Sequence, residues 1–211
     1  MAKGSGYRVH YRRRREGKTD YRARKALVLS GKPRLVVRPS LKNMIVQMVA
    51  AKPSGDVVLV SANSRELVKN YGWKAPTGNL PSAYLTGYLC GLQVKSGGFE
   101  EANLDIGLNM PSKGARIFAA LKGVLDAGIA VPHSEEKLPD EKRLQGEHIA
   151  KYAKSLASDQ EKYPSAFSEY LKQKLSPEDL PKHFAEVKKA IDAKFKHGGK
   201  EVAKAKKRKK N

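Results

Sequence analysis

The sequence has little of what exported, membrane and disulfide-rich proteins need. Its 211 residues include a single cysteine, Cys90, so no internal disulfide can form and a reducing compartment is expected. No apolar run approaches the roughly eighteen residues of a membrane span. The N-terminal residues lack the apolar segment of a signal peptide, so we expect neither export nor a membrane partner.

Acidic residues are also scarce, and the scarcity is uneven along the chain. Asp and Glu number 21 against 42 Lys and Arg, which gives a formal net charge of +21. Residues 1–25 hold ten cations and two anions, and residues 194–211 hold nine cations and one anion. The sequence therefore predicts a globular middle between two basic ends, and the 40% of hydrophobic residues is enough for a core. The basic ends predict an anionic partner.

Signatures of catalysis are missing as well. The Gly-Lys-Thr at 17–19 lacks the upstream glycine of a phosphate-binding loop, and there is no G-x-S-x-G elbow. The five histidines share no metal-ligand spacing with one another or with Cys90, so we expect no metal and no cofactor. Cys90 has apolar neighbours and is expected in the core. We therefore expect that the protein is not an enzyme.

A mixed sheet is predicted in the first two thirds of the chain. Strands at 34–38, 43–50 and 56–62 are joined by short connections, so they form an antiparallel meander with the second strand central. Pro53 and Gly55 favour the tight turn before the third strand. Strand and helix then alternate, which indicates an α/β fold with helices packed on the sheet.

The later elements are predicted in the same way. Helices are expected over 64–72, over 81–94 with Gly87 and Gly91 close to the sheet, and from an N-cap at Ser112 to Gly128; strands are expected at 102–109 and 129–132. Past His133 the sequence becomes charged and amphipathic, which predicts helices, one of them opening on a capping box at Ser176 and Asp179.

One enzymatic hypothesis fits such a sheet. Nucleases of the ribonuclease H type also begin with three antiparallel strands and place metal-binding carboxylates on them. Here the first strand, "RLVVR", has no carboxylate, and Asp105 stands alone on its strand. A lone carboxylate cannot hold two metal ions, so Asp105 is expected to be a structural hydrogen-bond acceptor.

The N-terminal segment "YRVHYRRRREGKTDYRARK", residues 7–25, favours RNA as the partner. Arginine outnumbers lysine seven to two, which suits bidentate phosphate contacts, and three interleaved tyrosines could stack on exposed bases. No helix-turn-helix, zinc-finger or basic-zipper pattern appears, so folded RNA fits better than duplex DNA. Because like charges repel, we expect the segment to be poorly ordered until it meets a polyanion.

Several motifs together resemble a known family. "RRRREGKTDYRARK", "GWKAPTGNLPSAYLTG", "LDIGLN" and "DAGIAVPHS" resemble the universal large-subunit ribosomal protein that binds 5S rRNA, and the length of the segment after His133 resembles the archaeal type. The resemblance implies a three-layer α/β fold of ribonuclease H-like topology without catalysis. It also implies a structural role in the cytoplasm, anchoring 5S rRNA to 23S rRNA and neighbouring ribosomal proteins in the central protuberance.

The resemblance also implies domains and contact residues. The expected parts are a basic arm (1–26), a 5S-rRNA-binding α/β core (27–133), a helical extension (134–196) and a lysine-rich tail (197–211). The expected rRNA contacts are Arg8, Arg12, Arg13, Arg14, Arg15, Lys18, Tyr21, Arg24 and Lys25, then Arg34, Arg38 and Lys42, and a loop containing Trp73 and Asn79. For Trp73, stacking on a base and a place in the core are equally open. Two rival functions are a non-specific nucleic-acid-binding protein and a metal-dependent nuclease.

Overall fold

A four-stranded mixed sheet forms the centre of the computed structural model, which describes residues 4–159 and 161–208, with side chains up to Phe195. The strand order is β3-β2-β1-β4, and the strands are β1 (Arg34–Pro39), β2 (Met44–Lys52), β3 (Gly55–Asn63) and β4 (Asn103–Asp105). The first three strands are antiparallel and β4 runs parallel to β1. The predicted antiparallel meander with a central second strand is confirmed.

The inner face of the sheet is apolar and is covered by two helices. Leu35, Val46 and Met48 are each fully buried there, beneath α4 (Leu80–Ser96) and α5 (Arg116–Asp126). The two helices touch through glycines: a Cβ on Gly87 would lie 1.9 Å from the carbonyl oxygen of Ala120. The predicted close approach is therefore made to α5 and not to the sheet.

Helix α3 (Ser64–Tyr71) lies between β3 and α4, and its ends follow local sequence rules. Asn63 and Glu66 form a reciprocal capping box at its N-terminus. At its C-terminus Gly72 adopts the left-handed conformation with φ +70°, which glycine allows at little cost. The chain then enters the loop that contains Trp73.

The outer face of the sheet carries both charged and apolar side chains and is approached by the N-terminal segment. This segment forms two helices, α1 (Arg12–Arg15) and α2 (Tyr21–Leu29). Helix α2 has no buried residue, and the Asn103 amide of β4 donates to Ser30 at its C-terminal end (2.8 Å). With helices on both faces of the sheet, the fold is the predicted three-layer α/β class.

The C-terminal part is helical, as expected. It consists of α6 (Glu141–Gln145), α7 (Glu147–Leu156), α8 (Lys162–Ala166), α9 (Ser168–Lys172) and α10 (Leu180–Arg208). Leu180, Phe184, Val187 and Ile191 recur at helical spacing on α10 and are buried in the same core as the sheet. The backbone of the predicted lysine-rich tail continues α10 to Arg208, and its side chains lie outside the described residues.

Four local predictions are wrong. Strand β4 covers only Asn103–Asp105, and the strand expected at 129–132 is a single bridge between Glu101 and Ala130. Helix α5 begins after Ala115, without the predicted cap at Ser112. Ser176 makes no side-chain cap, because a 3₁₀ turn at Pro177–Asp179 separates it from α10. Three of these errors concern the end of an element, and the fourth is a predicted strand that forms only a single bridge.

Within the described residues, no helix combines the length and the apolarity that crossing a membrane requires.

Candidate nucleic-acid interface

The arginines of α1 are all exposed to solvent. Helix α1 is one turn of four consecutive arginines with no buried residue, and like charges one turn apart limit how far such a helix can extend. The Glu16 carboxylate lies 3.9 Å from Arg12 Nε and 3.0 Å from Lys18 Nζ, and Arg13 Nε donates to Thr19 Oγ1 (2.8 Å). These contacts hold the turn while its guanidinium groups face solvent.

Several arginines of this segment have no acidic partner among the described side chains. Among the side chains of residues 4–159 and 161–195, no carboxylate lies at ion-pair distance from Arg8, Arg14 or Arg15. All three are exposed, as are Arg22 and Lys25 on α2. Their charge is therefore available to an anion from outside the protein.

The N-terminal segment contains two helices with local contacts of their own. The expectation that residues 7–25 are poorly ordered until they meet a polyanion stays a prediction. The Asp20 carboxylate caps α2 by accepting from the amides of Arg22 (2.8 Å) and Ala23 (3.3 Å), and the Tyr11 and Tyr21 rings lie 5.1 Å apart. Aspartate is a preferred N-cap residue, so Asp20 in "KTDYR" is a signal for the start of a helix that the sequence itself contains.

Arg24 and Arg34 are used within the fold. Arg24 donates two bonds to Asp56 (2.8 and 2.7 Å), and Arg34 donates to Asp56 and to Asp105 (2.7 Å each). The hydrogen bond from Arg24 is the main cause that lowers the pKa of Asp56 to about 2. Arg34 is only 3% exposed and is paired with two carboxylates, so it serves the fold in this structure, and its contact with rRNA stays a prediction.

These residues surround a cleft of about 700 Å³ between α2 and the outer face of the sheet. The cleft brings together six of the predicted contact residues, namely Arg13, Lys18, Tyr21, Arg24, Arg34 and Arg38. Arg38 is exposed on β1, and Val36 and Val49 form an apolar floor. The cationic rim and the apolar floor can accept phosphate and base, respectively.

Three further predicted residues, Lys42, Trp73 and Asn79, lie at a second groove of about 880 Å³, which shares no lining residue with the first. Lys42 is exposed at its edge. Trp73 is 1% exposed, and its ring stacks on His183 at 5.2 Å, so it occupies the core. Asn79 caps α4 by accepting from Ser82 N (2.9 Å), and its amide donates to Tyr170 (3.2 Å).

Sequence reasoning missed cations at this second groove. Arg65 and Lys69 on α3, Lys74 in the following loop and Lys172 on α9 line it together with Lys42. Arg65 and Lys69 are four residues apart, a spacing that places them on one side of a helix and that the sequence contained. Lys74 and Lys172 are brought together by tertiary contacts that no local pattern reveals.

The groups considered for catalysis have structural roles. Asp105 accepts from Arg34 and from the Gly107 amide (3.0 Å), as the sequence predicted. Cys90 is fully buried, and burial raises the pKa of its thiol to about 12. Among the described residues, no three His, Cys, Asp or Glu side chains form a group that could hold a metal ion.

A family model agrees with this picture. The model described as ribosomal large subunit proteins 60S L5 and 50S L18 matches residues 5–98 and 95–134. The match begins with the exposed arginines, covers the whole sheet and ends before the C-terminal helices.

Proposed function

The chain belongs to the family of ribosomal large subunit proteins 60S L5 and 50S L18, and on that premise we propose that it binds 5S rRNA and anchors it to 23S rRNA in the central protuberance. The family is a structural, non-enzymatic class of rRNA-binding proteins of the large subunit. In this proposal the chain works on the cytoplasmic ribosome beside neighbouring large-subunit proteins. Its archaeal type and its four-part domain division stay predictions; α2 crosses the expected boundary at residue 26.

The observation that carries the proposal is the exposed cationic surface of the N-terminal segment. Arg8, Arg14 and Arg15 have no acidic partner in the described part of the chain, and Arg12 and Arg13 extend the same surface. Guanidinium groups form bidentate bonds with phosphate oxygens, and this contact is worth most where no internal carboxylate competes. The Asp20 cap and the Arg24–Asp56 pair fix this surface against the sheet.

Binding to 5S rRNA is tested by measuring affinity across salt concentration. If the segment neutralises about six phosphates, a plot of log K against log salt has a slope of about −4 to −5. The full-length protein is titrated with 5S rRNA, with an unrelated structured RNA of equal length and with duplex DNA. We expect 5S rRNA to bind most tightly at every salt concentration. Equal affinity for duplex DNA would identify a general nucleic-acid-binding protein and refute the proposal.

The nuclease hypothesis has a separate test. End-labelled 5S rRNA is incubated with the protein and Mg²⁺ or Mn²⁺, and the labelled RNA is expected to stay intact. Metal-dependent cleavage that co-purifies with the protein through two chromatographic steps and disappears in an Asp105→Asn variant would contradict a purely structural role.

A further inference from the structure

Five cations surround the second groove, which no predicted function explains as a unit. They are Lys42, Arg65, Lys69, Lys74 and Lys172, and Glu169 is the acidic residue that lines the groove with them. In the described part of the chain, no carboxylate lies within ion-pair distance of any of the five. The residues between the two basic ends have only a small positive net charge. Five cations around one groove are therefore more than the average charge of this part of the chain would place there.

The positions of these cations concentrate positive charge on one opening. Arg65 and Lys69 lie one turn apart on α3 and repel each other until an anion lies near both. Lys42 and Lys74 approach from two loops, which are held together where Thr77 Oγ1 donates to the carbonyl of Lys42 (2.5 Å). The arrangement suits a ligand with several negative charges spaced along a chain.

The floor of the groove is rigid and its edge is apolar. Trp73, Ala75 and Tyr170 are each at most 6% exposed, so the floor is part of the packed core. At the edge, Leu41 is 94% exposed and Val68 is 43% exposed. Apolar side chains beside cations match an unpaired nucleic-acid strand, whose bases lie on apolar surface while its phosphates bind the cations.

The C-terminal helices supply one wall of the groove. His183 of α10 accepts a bond from the Lys74 amide through Nε2 (3.0 Å), and burial lowers the pKa of His183 and so favours this neutral form. Tyr170 of α9 accepts from Asn79. These contacts hold the C-terminal helices against the loop, so both the α/β body and the C-terminal extension form the groove.

We propose that this groove binds a single-stranded RNA segment other than the one bound by the N-terminal segment, so that one protein holds two RNA segments at once. The two clefts share no lining residue, and therefore both can be occupied together. The inference rests on the proposed function in that the RNA on the N-terminal segment is taken to be 5S rRNA. An acidic protein segment is the rival occupant, but it would use the cations without needing the exposed apolar edge.

The test uses full-length protein saturated with unlabelled 5S rRNA and a fluorescein-labelled oligouridylate about twelve nucleotides long. Fluorescence anisotropy at several salt concentrations reports the second binding event. A groove variant carries Arg65→Gln, Lys69→Gln and Lys74→Gln; a matched control carries Lys142→Gln, Lys154→Gln and Lys189→Gln, three exposed lysines that line neither cleft. Melting temperatures of both variants check that the fold is kept.

We expect the saturated complex to bind the oligouridylate and the groove variant to bind it roughly 50-fold more weakly at 0.15 M salt, with a salt slope smaller in magnitude by about 2. The control should stay within about threefold of the wild type. Leu41→Asp should also weaken binding, because it adds a negative charge at the apolar edge.

Three results would overturn the inference: no second binding event, equal affinity in the groove variant, or tighter binding of an oligoglutamate of matched length. A failure of the proposed function can be told apart from a failure of this inference. If the proposed function is wrong, the wild-type protein does not prefer 5S rRNA in the titration against unrelated RNA and duplex DNA. In that case the oligouridylate is titrated into a variant with Arg12–Arg15 changed to Gln. The groove site still predicts binding there, and its absence refutes the groove.

Discussion

Two stretches that the sequence marked as RNA contacts, residues 7–25 and the loop 72–79, are used in opposite ways. In the first, Arg8, Arg14 and Arg15 face solvent with no acidic partner in the described part of the chain. In the second, Trp73 is buried and Asn79 uses its amide for a helix cap and for Tyr170. Both stretches carry the family resemblance, yet in the loop the two predicted contact residues serve the fold, and the exposed Lys74 between them lines the second groove. A shared motif can therefore mark either a contact or a part of the scaffold.

Arg34 shows the same distinction within one residue type. It lies on β1 next to exposed cations, yet its guanidinium is buried between Asp56 and Asp105. A charge that is neutralised by carboxylates inside the protein contributes little to binding a polyanion. The protein thus contains two kinds of cation: those exposed to an external anion and those paired with carboxylates within the fold.

The largest expected effect concerns the loop. Trp73→Ala should lower the free energy of unfolding by about 4 kcal/mol, because it removes a fully buried indole and leaves a cavity. In the folded protein, the affinity for 5S rRNA should change by less than about threefold. Denaturant unfolding and filter binding below the melting temperature measure the two quantities. The milder Trp73→Phe serves if the alanine variant does not fold, and a large loss of affinity in that stable variant would mean that Trp73 contacts RNA.

The next effect concerns the exposed arginines. Changing Arg12–Arg15 to Gln should weaken binding of 5S rRNA on the order of 10²-fold at 0.15 M salt, because four phosphate contacts are lost, and should reduce the magnitude of the salt slope by about 3. The melting temperature should hardly change, since none of the four is buried. Lys113→Gln, Lys142→Gln, Lys154→Gln and Lys189→Gln together are the charge-matched control. An equal loss of affinity for 5S rRNA in this control would show that the effect comes from net charge and not from the positions of the four arginines.

A smaller effect separates Arg34 from the exposed arginines. Arg34→Leu should cost about 2 kcal/mol of stability, because Asp105 loses its partner in a largely buried position while Asp56 keeps Arg24. The salt slope for 5S rRNA should stay unchanged. A slope reduced in magnitude by about 0.7 to 0.9 would instead show that Arg34 neutralises a phosphate.

The smallest effect is a dependence of stability on pH. The pKa of Asp56 is lowered from 3.8 to about 2, so its stabilising contribution is present above about pH 4 and is lost as the pH falls towards 2. Because the side chain is about one-third exposed, the loss should be on the order of 1 kcal/mol. Denaturant unfolding between pH 2 and 5 should show this loss in the wild type and not in Asp56→Asn. A parallel pH profile in the two proteins would exclude Asp56 as the source.

The parts of the fold that the sequence predicted are those set by local patterns. Apolar runs and the turn at Pro53 and Gly55 were enough to place the meander, and the apolar period on α10 was enough to place that helix. The exposed arginines were found because four consecutive like charges cannot be buried. In each case neighbouring residues carry the whole argument.

The parts that could not be predicted depend on distant partners. The ion pairs of Arg34 join residues 22 and 71 positions apart and require the register of the sheet. The burial of Trp73 depends on His183 of α10, and the contact of Gly87 depends on the packing of α4 on α5. The cations of the second groove come from two loops and two helices. No local pattern contains these arrangements.

The most direct measurement is to sequence the RNA that stays bound to the tagged protein after a high-salt wash of a cell extract. For the wild type we predict 5S rRNA as the dominant species, and for the variant with Arg12–Arg15 changed to Gln we predict its loss. Bound RNA dominated by other species, or 5S rRNA retained equally by both proteins, would contradict the claim that exposed N-terminal arginines on an α/β scaffold bind 5S rRNA.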